Sequence, residues 1–427
     1  MISSSLADVV LLISLIVSAG TYLFVSKREG SYVNIMTPSF VFKISACYLL
    51  PLFFNHVFGI GASSYAYTYI YATLAVENVA FAYSYTRPSR KLIRIPLRYS
   101  YNNFDLLSFG CLGVAVLMYL PILLQFPEYL LSPRQIYAET RTGFGVNFFI
   151  SSAFAYLAVV LILFTRRSRL VKGFVILVSA VVLGLHGSKG QMLSLIFFLA
   201  LFEVYVRGRK LRLLTSLFVG LGLGFFVLLL FAATMALGDN PAEALEAISQ
   251  YSDYTRNAML VIDSHFPLQY GRLTIEAGTI GRIPRLLMPN KPKNFGAFYL
   301  ADQFFPEAMD QDAGTPDFGI GLQYADFGVL AIVYVGAFAM LTGWLSRIFV
   351  GRLRKSHHPA DFVLVAFLAG LSLFPVGGAG WLLPEALAVA AFLCFASRIG
   401  ADKVYRERLV SAPRLATQSM GPNRGSI

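Results

Sequence analysis

The chain has 427 residues, 56% of them hydrophobic and only 14% charged, with a net charge of +12. A soluble globular domain carries about 25% charged residues, so the composition excludes an ordinary soluble protein and points to a membrane protein. The positive balance is no sign of nucleic acid, because Arg and Lys fall in short clusters between apolar runs, as they do in cytoplasmic loops.

In chain order, apolar runs long enough for a membrane-spanning helix are predicted at 6–25, 38–58, 66–85, 105–125, 147–165, 171–187, 191–206, 213–237, 323–349, 361–376 and 382–398. The fold class is therefore an all-α polytopic membrane protein with about eleven transmembrane helices. The first run has no basic start, and Lys27 and Arg28 follow it, so it reads as a retained helix with its N-terminus outside. The division is residues 1–237 for helices 1–8, with a short outer loop at 126–146, then a large outer loop at 238–322. Helices 9–11 follow at 323–400, and a basic cytoplasmic tail at 401–427. On this topology the outer segments hold Arg134, Arg141, Lys189, Arg256, Arg272, Arg282, Arg285, Lys291 and Lys293. All other Arg and Lys residues, Lys43 included, fall to the inner side.

The large loop opens with Asp239-Asn240-Pro241 and Glu243, a helix start. Leu245, Ile248, Tyr251, Ala258 and Ile262 then recur at near-helical spacing, which predicts a helix lying along the membrane surface. The Pro- and Gly-rich remainder, from Pro284 to Pro316, reads as an irregular folded cap. Cys47, Cys111 and Cys394 each sit in an apolar run without a CxxC or Cys/His cluster, so no disulfide framework or zinc site is expected. Asp310-Gln311-Asp312 has the spacing of an acidic metal pair, but the expectation is that no metal or other cofactor is used. His357 and His358, in a basic inner loop, are expected at the surface.

Three stretches carry chemistry or resemblance. Ile283-Pro284-Arg285 to Asn290-Lys291-Pro292 places cations between prolines that hold the backbone extended. Gly187-Ser188-Lys189-Gly190-Gln191 sets a lone Lys between apolar helices, where a charge is costly and reads as either a functional candidate or a Lys snorkelling at the membrane boundary. Gly319-Ile320-Gly321-Leu322-Gln323-Tyr324-Ala325-Asp326-Phe327-Gly328 enters the helix after the large loop. Asp326 there, near an outer helix end, reads as either a structural cap or a site wall, and Glu77, in mid-span, as either functional or ion-paired.

These stretches resemble the O-antigen polymerase (Wzy-type) family of oligosaccharide repeat-unit polymerases, with Ser188-Lys189-Gly190 standing where the family commonly shows Ser-Arg-Gly. The resemblance implies a GT-C-like membrane glycosyltransferase acting on undecaprenyl-diphosphate-linked oligosaccharides at the periplasmic face of the bacterial inner membrane. The growing chain passes en bloc to the next lipid-linked repeat, and undecaprenyl diphosphate leaves. The implied partners are these lipids, membrane lipids, a chain-length regulator and a flippase, with no nucleic acid. The alternatives are an O-antigen ligase and a non-enzymatic transporter or flippase. A leaving diphosphate needs positive charge, for which Arg285 is the catalytic candidate, with Lys189, Arg141, Arg272, Arg282 and Lys291 as diphosphate-binding candidates. The attacking sugar hydroxyl benefits from a base, for which Glu276, His265 and Asp253 are the outer-face candidates, a satisfied structural histidine being the alternative reading of His265.

Overall fold

The computed structural model describes residues 4–52, 63–87, 104–129, 136, 144–187, 189–211, 253–283, 287–307, 316–371 and 385–397. Among them every regular element is helical. The helices are α1 (Ser4–Glu29), α2 (Thr37–Lys43, continued as a π-helix over Ile44–Leu49), α3 (Ser64–Thr86), α4 (Phe104–Gln125), α5 (Gly145–Leu163), α6 (Arg169–Leu185) and α7 (Lys189–Tyr205). After the gap come α8 (Asp253–Asp263), α9 (Arg272–Gly278), α10 (Ala297–Phe304), α11 (Gly321–Phe327), α12 (Ala331–Ser356), α13 (Pro359–Leu368) and α14 (Glu385–Ser397). Every predicted span holds helix except 213–237, which lies outside the described residues. Among the described residues four helical stretches are long and apolar enough to cross a membrane: Asp8–Glu29, Phe104–Gln125, Gly145–Leu163 and Gly321–Ser356.

The sequence of α5 explains its place. It is apolar on every side, and from Ser151 to Leu163 all but Phe154 is buried, so it forms the centre of a bundle with α4, α6, α7 and α13. A second bundle joins α1, α2, α3 and α12. Its helices meet through small residues: a Cβ on Gly336 would stand 3.1 Å from Val76 Cγ1, and one on Gly343 would collide with the carbonyl oxygen of Phe81. Close backbone approach of this kind is how helices associate where lipid removes the hydrophobic drive.

At one end of this second bundle four helix ends are tied together. Glu29 of α1 pairs with Arg354 of α12 and accepts a hydrogen bond from Tyr85 of α3 (2.9 Å), while Arg354 also lies 5.2 Å from the ring of Tyr205 in α7. At the opposite end, Ser63 donates through its backbone N (3.0 Å) and its hydroxyl to Asp263 of α8.

Two expectations need correction. Of the helix expected along the membrane surface, Leu245, Ile248 and Tyr251 lie outside the described residues; its described part, α8, does not lie across the top of the bundle. Its Asp263 end sits at the start of α3, and its other end reaches α2, where the Tyr254 ring meets Phe42 edge-on at 4.9 Å. It therefore runs lengthwise beside α3, and Ala258 and Ile262 share a buried apolar cluster with Tyr69 and Ile70 of α3. Nor is His358 a surface residue. It is buried and caps α13, its Nδ1 accepting from Ala360 N at 3.1 Å, whereas His357 stays exposed.

Candidate active site

The large loop contains a folded core. Val261, Leu273, Leu300, Ala301, Phe318 and Ala325 bury one another between α8, α9, α10 and α11. The Gly319–Gly328 stretch is its hub. A Cβ on Gly319 would stand 2.7 Å from the Tyr254 carbonyl oxygen, and its φ of +47° is one that side-chain-bearing residues rarely adopt. A Cβ on Gly321 would stand 2.8 Å from Ala258 Cα, so this stretch admits the α8 backbone only because it carries glycine. On its other side Asp326, 1% exposed, accepts from Leu273 N (3.0 Å), Thr274 N (2.7 Å) and the Thr274 hydroxyl (2.6 Å). Of the two readings left open for Asp326, the cap is the one seen: its carboxylate satisfies the free N–H groups at the start of α9.

Helix α9 presents two of the candidate residues one turn apart. Arg272 Nε lies 3.2 Å from Glu276 Oε1, and the Arg272 guanidinium lies 4.5 Å from the centre of the Tyr299 ring. The other oxygen of Glu276 accepts from Gly296 N at 3.0 Å. Glu276 thus closes the base of the 279–296 excursion, the segment that carries the cation-and-proline stretch. Gly296 permits this closure through its φ of +54°, with Ala277 close against it.

Inside the excursion, Lys291 Nζ donates to the carbonyls of Gly281 (3.2 Å) and Ile283 (2.9 Å) and lies 4.7 Å from the centre of the Phe295 ring. An ammonium has three donors, and two of them hold the two sides of the loop together. Arg282 ends a short 3-10 turn, Ile280–Arg282. Arg285 itself, with Arg141 and the Asp310–Asp312 pair, lies outside the described residues. His265 follows α8 in the left-handed region (φ 53°); it is exposed and makes no hydrogen bond among the described residues. The structure thus brings Arg272, Glu276 and Lys291 to one excursion, with His265 at the end of a neighbouring helix.

Lys189 begins α7, and His186, three residues before it, is anchored among other helices. His186 is buried. Its ring stacks on Tyr119 (4.8 Å) and hydrogen-bonds Ser152 Oγ (2.8 Å) and Ser151 Oγ (3.2 Å). Tyr119 in turn donates to Leu185 O at 2.7 Å. The sequence shows His186 as a lone histidine, because its partners belong to other helices.

A second missed feature lies within two of the predicted spans, 38–58 and 66–85. Lys43 Nζ and Glu77 Oε2 are 2.7 Å apart, joining α2 to α3. Each residue is legible as a charge in an apolar run, but their pairing across helices is not. Among the described residues no group of three or more His, Cys, Asp or Glu could hold a metal ion.

Over 385 residues the chain is 34% identical to the O-antigen polymerase of Salmonella typhimurium (strain LT2) and, to the same extent, to that of Salmonella typhi. The matched stretch covers 88% of this chain and 92% of each relative. No protein-family model matches the chain, and no solved structure matches it.

Proposed function

Since the chain belongs to the O-antigen polymerase family, we propose that it is a multi-pass membrane glycosyltransferase that polymerises lipid-linked O-antigen repeat units. The observation that carries this reading is the 34% identity sustained over 88% of the chain. In its finer form, the chain is a GT-C-like enzyme of eleven spans in the bacterial inner membrane. Its N-terminus and the 238–322 loop are periplasmic and its tail cytoplasmic. The growing glycan moves en bloc from undecaprenyl diphosphate onto the next lipid-linked repeat.

The reaction breaks the bond between the sugar anomeric carbon and the diphosphate oxygen, and forms one from that carbon to an acceptor hydroxyl. The proton of that hydroxyl must leave, and negative charge gathers on the diphosphate. In this reading Arg285 binds the leaving diphosphate, and Arg282, Arg272, Arg141, Lys189 and Lys291 supply further positive charge. Between the base candidates Glu276 and His265, His265 is the better suited to take the proton. It is exposed, whereas both oxygens of Glu276 are engaged, one with Arg272 and one with Gly296 N.

Purified protein in lipid vesicles, offered only the lipid-linked repeat, should yield a ladder of lipid-linked polymers and release undecaprenyl diphosphate. No ladder with lipid-linked repeats alone, but glycan transfer once lipid A core is added, would make the chain a ligase and overturn the reading.

A further inference from the structure

Between α2, α3, α8, α11 and α12 lies a cavity of about 280 Å³, whose walls include Lys43, Glu77, Gln323, Tyr254, Tyr334 and Phe338. The volume is near the lower end of small-ligand sites, roughly 300–1,000 Å³. Glu77 lies about 20 Å along α3 from Ser64 at 1.5 Å per residue, well inside the predicted span 66–85. A charged pair at that depth is costly unless it does something there. Its side chains are 13% and 32% exposed, so the pair is not sealed away. Behind it the ammonium is held in place: Lys43 Nζ donates to Asn78 Oδ1 (3.4 Å), Asn78 Nδ2 donates to Ser18 Oγ (2.9 Å), and Ser18 hydrogen-bonds Tyr48 (2.9 Å). Across the cavity, the Gln323 amide makes no hydrogen bond among the described residues. The cavity therefore offers a carboxylate, an ammonium and an open amide on walls that are otherwise largely aromatic and aliphatic.

That combination selects a class of ligand. The ion pair has no net charge, so a diphosphate would meet a carboxylate as closely as an ammonium. A neutral ligand rich in hydroxyls can donate to Glu77 and Gln323, accept from Lys43 and Gln323, and lay its apolar face on an aromatic ring. We propose that this cavity binds a sugar residue of the lipid-linked repeat, with Glu77 and Gln323 as its recognising side chains. The inference rests on the polymerase reading and adds a carbohydrate subsite separate from the outer cations.

The test uses the full-length protein in lipid nanodiscs and two probes. One is the lipid-linked repeat extracted from a host strain lacking this chain; the other is undecaprenyl diphosphate without glycan. Glu77→Gln and Gln323→Leu should each weaken binding of the glycan-bearing lipid about tenfold, the effect of losing a hydrogen bond to a fixed polar group, and leave the bare lipid unaffected. Gln323→Leu keeps the ion pair, so it reads the cavity even if Glu77→Gln fails to accumulate. Equal weakening for both probes would assign the cavity to diphosphate or lipid tail, and unchanged binding in a folded Gln323→Leu variant would remove the subsite; either overturns the proposal. Wild-type protein that prefers the glycan-bearing lipid but makes no ladder would leave the subsite standing and sink the polymerase reading. A ladder without that preference would do the reverse.

Discussion

Single residues divide here between chemistry and support, and hydrogen-bond partners draw the line. Asp326, Glu276 and Lys291 are committed to backbone groups, so their first effect is on the shape of the loop. Arg285, held between Pro284 and the Pro289 and Pro292 prolines, is the cation whose sequence context best fixes its direction. Arg285→Ala should reduce turnover by roughly 100- to 1000-fold, the typical cost of one transition-state donor, with normal protein level. Arg285→Lys should restore it only partly, because an ammonium lacks the planar fork. Glycan length in a null strain complemented with each variant reads this, and normal length in a well-expressed Arg285→Ala strain would rule the role out. His358 makes a pH prediction. Burial, helped by Arg352, holds its pKa down at about 4, against 6.5 for an ordinary histidine. As pH falls below 6.5 the unfolded chain takes up a proton that the folded chain resists. Stability is thus full above pH 6.5 and declines toward pH 4, by at most about 3 kcal/mol. Melting curves at pH 7 and pH 5 should differ less in His358→Asn, which keeps a capping side chain; an unchanged difference would exclude His358 as the cause.

The helices show how far the sequence could be read and where it stopped. Apolar runs give the position of the described helices outside the large loop, since length and hydropathy are local properties, but not of α9 or of α10, which forms inside the stretch expected to be irregular. What a helix packs against is not local. The spacing of Ala258 and Ile262 marks a buried face on α8, but nothing in it names α3 as the partner. For the same reason Lys43 and Glu77 read as separate charges, and His186 as a histidine without neighbours. The Gly319–Gly328 stretch was legible as a motif, but its purpose, admitting the α8 backbone on one side and capping α9 on the other, emerges only in three dimensions. The contact of α3 with α12 gives a matched test. Gly343→Leu drives a side chain into the Phe81 backbone and should cost about 1–3 kcal/mol or more. Gly20→Ala in α1, where an added Cβ meets nothing within 4 Å, should be neutral or slightly stabilising. Thermal melting of the two purified variants checks the pair, and equal loss in both would contradict the packing described.

At the scale of the whole molecule, the ends of α1, α3 and α12 joined through Glu29, Tyr85 and Arg354 lie opposite the end where Ser63 meets Asp263. On the proposed topology the first end faces the cytoplasm and the second the periplasm. A cysteine introduced at Asn290, which is exposed, should react with a membrane-impermeant thiol reagent in cells whose outer membrane alone is permeabilised, and one at Arg424 should not. The reverse pattern would invert the topology and remove the outer loop from the reaction. The lengthwise seat of α8 beside α3 also has a consequence for biosynthesis. Ser63 and Asp263 are 200 residues apart, and Tyr69 donates to the Gly328 carbonyl across 259. At a synthesis rate of about 5–20 residues per second, a nascent chain carries the α3 face uncovered for roughly 10–40 s before its partner leaves the ribosome. Chains cut short before α8 would keep that face bare permanently, so early stop codons should yield fragments cleared by membrane proteases rather than inert partial bundles.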